Sequence, residues 1–414
     1  MSLPVTVPFT FGNATTTQSL SSLDTNFTTI TNSVNGLTNG ASQINVASIS
    51  ATGAANNSTF LRGDGAWATV TGGGTDATYA NLTVTQNLIP PSSFLRNRII
   101  NGNMTIDQRN GGAQITAANL VSSAYMVDRW IYLSSQAAKF TAQQNAGAVT
   151  TAVGFPNYLG MTVASAFSVG ASDYSLINQL IEGFNFADFG FGTASAKTVT
   201  LSFVVYSSLT GTFGGSIRNS GNTRSYPFTY SIPTANTWTT ISVTIAGDTS
   251  GTWIGATNGV GVQVGFGLGA GTTYSGTAGA WASANYVSAT GAVSVVGTAS
   301  ATFYITGVQL EVGSNATPFE RRQYGAELML CQRYYENCGM TLTTTGTYQN
   351  TCWFKVEKRA VATLTLVSGS LNGATVGLMN AIPYGGTIAG ISGIRQTANS
   401  AGATDAAISA SSEL

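Results

Sequence analysis

The sequence predicts a mainly β protein. Its centre is an antiparallel jelly-roll-type β-sandwich, preceded by a short N-terminal coiled coil and a Gly/Ser/Thr-rich linker and followed by a small C-terminal β-domain. Three observations carry this. The stretches KTVTLSFVVYSS at 197–208, TWTTISVTIAGD at 237–248, GVGVQVGFGLGAG at 259–271 and ATFYITGVQLEVG at 301–313 alternate with the period of a half-buried strand. Glycine or Asn-Gly signals separate many of the strand candidates. Charge is scarce: 8% of residues, against a usual share of about 25%. Small polar residues fill the surface instead, a composition that goes with extracellular or virion proteins.

The elements follow in order. Residues 1–19 form an extended arm, with Pro4 and Pro8 in a Val/Thr/Phe pattern. In residues 20–37, Leu20, Leu23, Phe27, Ile30, Val34 and Leu37 step alternately by three and four, which is the seam of a coiled coil. Thr and Asn at the outer positions make an isolated helix unstable, so the seam needs copies of itself. Phe27 is too wide for an easy two-stranded core and favours three strands. Residues 38–93 form a linker of brief strands, 44–50 and 81–89 among them, with a tight turn at Gly63-Asp64-Gly65. Pro90-Pro91 marks a boundary, and residues 94–320 form the sandwich, with RWIYLS at 129–134 and KFTAQQN at 139–145 as an earlier strand pair. The stretch 172–183 is the best internal helix candidate, or else a strand pair.

A junction helix at 321–336 then places Tyr324, Leu328, Cys331 and Tyr335 on one apolar face. Seven charges fall in residues 307–336, and Glu311, Glu320, Arg321, Arg322 and Arg333 are expected to form salt bridges where the sandwich meets the C-terminal β-domain, 337–414. Tyr334, Tyr335 and Trp353 should pack the helix onto that domain.

Composition also excludes. A formal net charge of zero argues against nucleic acid, whose affinity depends on neutralised phosphates, and against anionic lipid. Without histidine there is no Ser-His-Asp triad and no His-ligated zinc. Cys331, Cys338 and Cys352 do not form a disulfide framework, and Cys331 reads as a small buried hydrophobe. No signal peptide and no run of eighteen apolar residues is visible, so neither ordinary secretion nor membrane insertion is expected. No metal or cofactor is expected.

Several phrases together resemble a family of bacteriophage virion proteins, chiefly tail fibres. They are NRIINGNMTIDQR at 97–109, DRW at 128–130, GVQLEVGSNATPFERR at 307–322 and QRYYE at 332–336, with FKVEKRAVATLTL at 354–366 as the next strand pair. Lys358 departs from the pattern, in which a methionine precedes the arginine. The resemblance implies a homotrimeric, β-rich appendage. Its N-terminus would attach to other virion proteins, and its distal end would contact a host cell-surface glycan or protein. Such a chain is assembled in the host cytoplasm and released by lysis. The alternatives are a head or neck fibre or decoration protein of the virion, and a glycan-degrading tailspike.

Two kinds of site fit those readings. Trp253, Tyr274, Trp281 and Tyr286 lie in a long loop-rich segment and offer faces for sugar rings. Glycoside hydrolysis needs two carboxylates about one bond. Glu182 and Asp188 are the nearest such pair in sequence, but they read as turn or edge residues, so no enzyme is expected.

Overall fold

The computed structural model describes residues 19–35, 59–61, 67–69, 95–342, 351–369, 375–380, 391–398 and 404–414. The chain divides into two units, Met1–Ser93 and Phe94–Leu414.

In the first unit, α1 (Leu20–Asn35) carries the seam. Ser19 caps it by accepting the Ser22 N–H at 3.3 Å. Leu20, Leu23, Phe27 and Ile30 are 81, 41, 59 and 40% exposed, so this face stays largely open to solvent. Val34 lies within the helix, and Leu37 lies outside the described residues. β1 (Thr59–Leu61) pairs antiparallel with β2 (Trp67–Thr69). The turn expected between them, the arm up to residue 18 and the linker strands at 44–50 and 81–89 also lie outside the described residues.

The second unit holds β3 (Ala124–Tyr125), β4 (Ile131–Ser134), β5 (Phe140–Gln144), β6 (Leu159–Val163), β7 (Tyr174–Glu182), β8 (Val199–Ser207) and β9 (Gly211–Arg218). There follow β10 (Ser225–Ile232), β11 (Thr239–Ile245), β12 (Val260–Ala270), β13 (Ser275–Gly276), β14 (Ser288–Ala289) and β15 (Thr302–Val312). A six-stranded sheet has the order β10-β9-β12-β7-β4-β3 and a five-stranded sheet the order β11-β8-β15-β6-β5. All the pairings within both are antiparallel. The chain passes repeatedly from one sheet to the other, at β4–β5, β6–β7, β7–β8, β8–β9, β10–β11 and β11–β12, as a jelly roll does. Val262, Val264, Phe266 and Leu268 of β12 face Phe203, Phe213, Phe228 and Phe303 in one core, and each is 2% exposed or less.

The strands expected near 129–145, 197–208, 237–248, 259–271 and 301–313 are all present. The helix expected at 172–183 is not: those residues form β7, which is covered on both faces. An apolar residue on each side removes the alternation that marks a half-buried strand, so YSLINQLIE mimics a helix.

The junction helix α2 spans only Tyr324–Gln332. Tyr335 already belongs to the next strand, β16 (Tyr335–Leu342), and Tyr324 is 62% exposed. Of the expected apolar face, Leu328 and Cys331 pack against Ile100, Ile106 and Tyr334. Beyond β16 lie β17 (Thr351–Trp353), β18 (Thr363–Gly369), β19 (Thr375–Asn380), β20 (Ile391–Ala398) and β21 (Thr404–Ser411), in two antiparallel sheets ordered β16-β21-β18 and β17-β20-β19. Trp353 is 62% exposed and does not serve as packing. Cys338 and Cys352 form a disulfide, which corrects the expectation from an odd cysteine count: these two close a loop, and Cys331 alone is the free, buried thiol.

Candidate functional site

The phrases that carry the family resemblance meet at one place. Asn101 sits in left-handed backbone with φ 57° and is fully buried. Its Nδ2 donates to the Ile106 and Asp128 carbonyls at 2.8 and 2.9 Å, and its Oδ1 accepts the Ile106 N–H at 2.9 Å. Its own N–H donates to Glu327, and its carbonyl accepts Trp130 Nε1 at 2.9 Å. A bulge in β15 turns the Val308 carbonyl toward Asn97 Nδ2, 3.1 Å away. At the bulge, Gly307 has φ 62° and lies against the Phe155 ring, so a side chain there meets both strain and a clash. Burial lifts the Asp128 carboxyl to about 6, although Gln108 donates to both of its oxygens.

Most of the expected junction charges are paired here. Glu311 faces Arg96 at 3.8 Å and accepts the Thr317 N–H at 2.8 Å, and Arg322 lies 3.7 Å from Glu320 and 3.3 Å from Glu327. Arg333 grips Glu182 with Nε and Nη2 at 2.9 and 2.7 Å, while the Tyr334 hydroxyl donates to the same carboxylate at 2.7 Å. Arg321 differs: no salt bridge is found for it among the described residues, and its guanidinium lies over Phe155 and Phe319 at 5.0 and 5.8 Å. Two buried pairs had no signal in sequence spacing. Arg129 meets Glu413, which also holds Arg109 at 2.7 Å, and Lys358 meets Glu336 at 2.8 Å. Lys358, only 2% exposed, thus has its charge matched by a carboxylate as buried as itself. An open groove of about 760 Å³ beside α2 is lined by Leu95, Ala326, Met329, Leu330 and Val356, with Arg321 and Lys355 at its edge.

The four candidate aromatics fall into two groups. Trp253 and Trp281 meet edge to face at 5.5 Å, and both pack on Phe191. Trp281 Nε1 donates to the Ala246 carbonyl at 2.7 Å and Trp253 Nε1 to the Ser250 carbonyl at 3.1 Å. These rings close one end of the sandwich core. Tyr274 and Tyr286 lie at the other face of the six-stranded sheet. Tyr274 packs on Tyr174 at 4.8 Å, and the Tyr286 ring lies on Gly276, where no Cβ would fit. All three tyrosines are half-buried.

The segment bearing them is tied down at its base. Ser225 Oγ donates to the Ala284 carbonyl at 2.7 Å, and the Val287 N–H donates to the Tyr274 carbonyl at 2.8 Å. Ser288 rests on Gly214 and Gly267, whose missing side chains let it approach the strands.

Below this rim the non-core face of the sheet is polar. Ser216, Gly265 and Asn178 form one row across β9, β12 and β7, and Arg218, Gln263 and Leu180 form another. Asn178 and Ser216 are fully buried, yet Asn178 Oδ1 and Ser216 Oγ have no hydrogen-bond partner among the described residues. Gln263 Nε2 donates to the Asn219 carbonyl and Asn222 Oδ1, both at 3.0 Å. These floor residues were missed in the sequence. Their signal was a single Gln on the glycine face of GVGVQVGFGLG, and an Asn between apolar residues in β7.

No family model and no curated protein sequence matches the chain. Among solved structures it is similar to a CBM4 structure, at 15% identity and TM-score 0.27, over 51% of this chain and 98% of that one. It is similar to the enzymatically active domain of tailspike protein 4 from bacteriophage CBA120, at 12% identity and TM-score 0.27, over 52% of this chain and 21% of that one. A family 11 carbohydrate-binding module from Clostridium thermocellum matches at 11% identity and TM-score 0.24, over 48% of this chain and 96% of that one. Likenesses this distant transfer no residue roles.

Proposed function

We propose that this chain is a non-enzymatic structural protein of a bacteriophage virion. In this reading it is a homotrimeric tail fibre, attached to the particle by its N-terminus and contacting a host cell-surface glycan with its sandwich. The observation that carries the glycan reading is the group of three half-buried tyrosines, Tyr174, Tyr274 and Tyr286, at the rim of the six-stranded sheet. Tyrosine rings supply apolar faces for sugar rings, and fixed amides supply direction for sugar hydroxyls.

The carboxylates support binding without turnover. Glu182 is held by Arg333 and Tyr334, Asp188 by Arg98 at 2.7 Å, and Asp248 by Arg224 at 2.6 and 2.8 Å. An acid and a nucleophile facing one glycosidic bond need carboxylates that are not already committed. Titrating the full chain with surface polysaccharide of the bacterial host tests this. Saturable binding without release of new reducing ends is expected. Continuous release would overturn the non-enzymatic reading, and absence of binding would overturn the glycan reading.

Support for the trimer comes from the exposed stripe of α1, which three copies would bury together. Ile30→Asp would place three charges in that seam. Light scattering of the wild type should give three chain masses and of the variant a smaller species; unchanged trimers from the variant would remove α1 from the assembly.

A further inference from the structure

Arg129, Arg218 and Lys358 are the buried cations among the described residues, at 1, 4 and 2% exposure. Arg129 meets Glu413 and Lys358 meets Glu336. Arg218 meets no carboxylate among the described residues. Its acceptors are neutral amides: Asn222 Oδ1 at 3.1 Å and Asn285 Oδ1 at 3.0 Å on Nη1, and Gln263 Oε1 at 3.2 Å on Nη2. Burial without a counter-charge brings its pKa down to about 10, with the Tyr174 phenol as the one group opposing that. Two of its three acceptors come from loops at the rim, Asn222 from the β9–β10 turn and Asn285 from the segment bearing Tyr274 and Tyr286. The unpartnered Asn178 and Ser216 oxygens lie one row away across the sheet. A guanidinium is the side chain that best matches a planar carboxylate, and a buried cation among neutral acceptors gains most when one arrives.

We propose that Arg218 receives the carboxylate of an acidic sugar, a uronic acid residue within a polysaccharide whose rings lie against Tyr174, Tyr274 and Tyr286. This rests on the glycan reading above and narrows it to anionic glycans. The carboxylate displaces the amide oxygen of Asn222 or Asn285 from Nη1.

The experiment uses the full chain and two probes, a polyuronate oligosaccharide and the same oligosaccharide with its carboxyls reduced to alcohols. Wild type should bind the acid at least tenfold more tightly, with an affinity that falls as salt is added. Arg218→Gln should lose that preference while keeping a melting temperature at or above wild type, because it removes an uncompensated buried charge. Arg218→Lys keeps the charge without the planar fork and should retain part of the preference. Equal binding of both probes by wild type would overturn the carboxylate assignment and leave the glycan reading standing, as would preference for a sulfated sugar over the uronate. Binding of no glycan at all would remove both. A lowered melting temperature in Arg218→Gln with the acid preference intact would make Arg218 a structural residue and overturn the proposal.

Discussion

Glu413→Ala will destabilise the Phe94–Leu414 unit by about 3–5 kcal/mol, the range for removing one partner of a buried ion pair. The reason lies with the partner left behind. Arg129 is 1% exposed, its guanidinium stacked over Tyr334 at 3.6 Å. Burial pulls its pKa down, but Glu413, Tyr334, Tyr125 and Cys331 together more than offset this, and the group titrates above its ordinary value. Without Glu413 the same guanidinium keeps its desolvation cost and loses its main charge partner. Arg109, stacked on Tyr335 at 3.7 Å, loses the same carboxylate. The check is a chemical-denaturation midpoint of the full chain, with Arg129→Met/Glu413→Leu as the companion. The double variant should recover most of the loss, because no charge is left buried. A single-variant loss below 1 kcal/mol would mean that the pair does not hold this part of the fold.

Asn101→Ala will have an effect of similar size, about 3–5 kcal/mol, through hydrogen bonds rather than charge. Its side chain satisfies two buried carbonyls and one buried N–H, and of these the Ile106 carbonyl also accepts the Asp128 N–H at 3.2 Å. Alanine also tolerates the left-handed backbone poorly, at a cost of roughly 1 kcal/mol. Asn101→Gly separates the two contributions: it relieves the strain but not the lost bonds, so it should be milder than alanine by about that amount. Equal stability of both variants and wild type would show that segment 97–109 is not fastened through this residue.

Most of the sandwich was legible because large apolar residues alternate along its strands with glycine or small polar ones, whether one face is covered, as in β11, or both, as in β12 and β15. The alternation in 197–208, 237–248, 259–271 and 301–313 follows directly from that, and each stretch became a strand. β7 was not legible because large apolar residues, Leu176 and Leu180 on one face and Ile177 and Ile181 on the other, leave no alternation to read. The junction was legible as a concentration of charge, but its pairing was not. Glu182 lies 151 residues from Arg333, and Glu413 lies 284 residues from Arg129. Only the fold brings such pairs together. Arg321 shows the reverse case: a charge in the right place, spent on aromatic faces.

For the glycan face, the sequence offered Tyr274 and Tyr286 as aromatic residues in a loop, and Trp253 and Trp281 on equal terms. Packing separates them, since both tryptophans lie against the core cluster while the tyrosines lie at the other face of the six-stranded sheet. Arg218, Gln263 and Asn178 were not recognised as a group because each lies in a different strand. Only strand pairing sets them in adjacent rows.

The most direct test of that face is a calorimetric titration of full-length wild type and Tyr274→Ala with the same host-surface polysaccharide. Tyr274 carries no buried charge and pairs with one neighbouring ring, so its removal should leave the fold intact. Loss of one stacking ring from a sugar site is expected to weaken binding at least tenfold, about 1.4 kcal/mol or more. Binding of equal strength by both proteins would contradict the assignment of the glycan site to this sheet face.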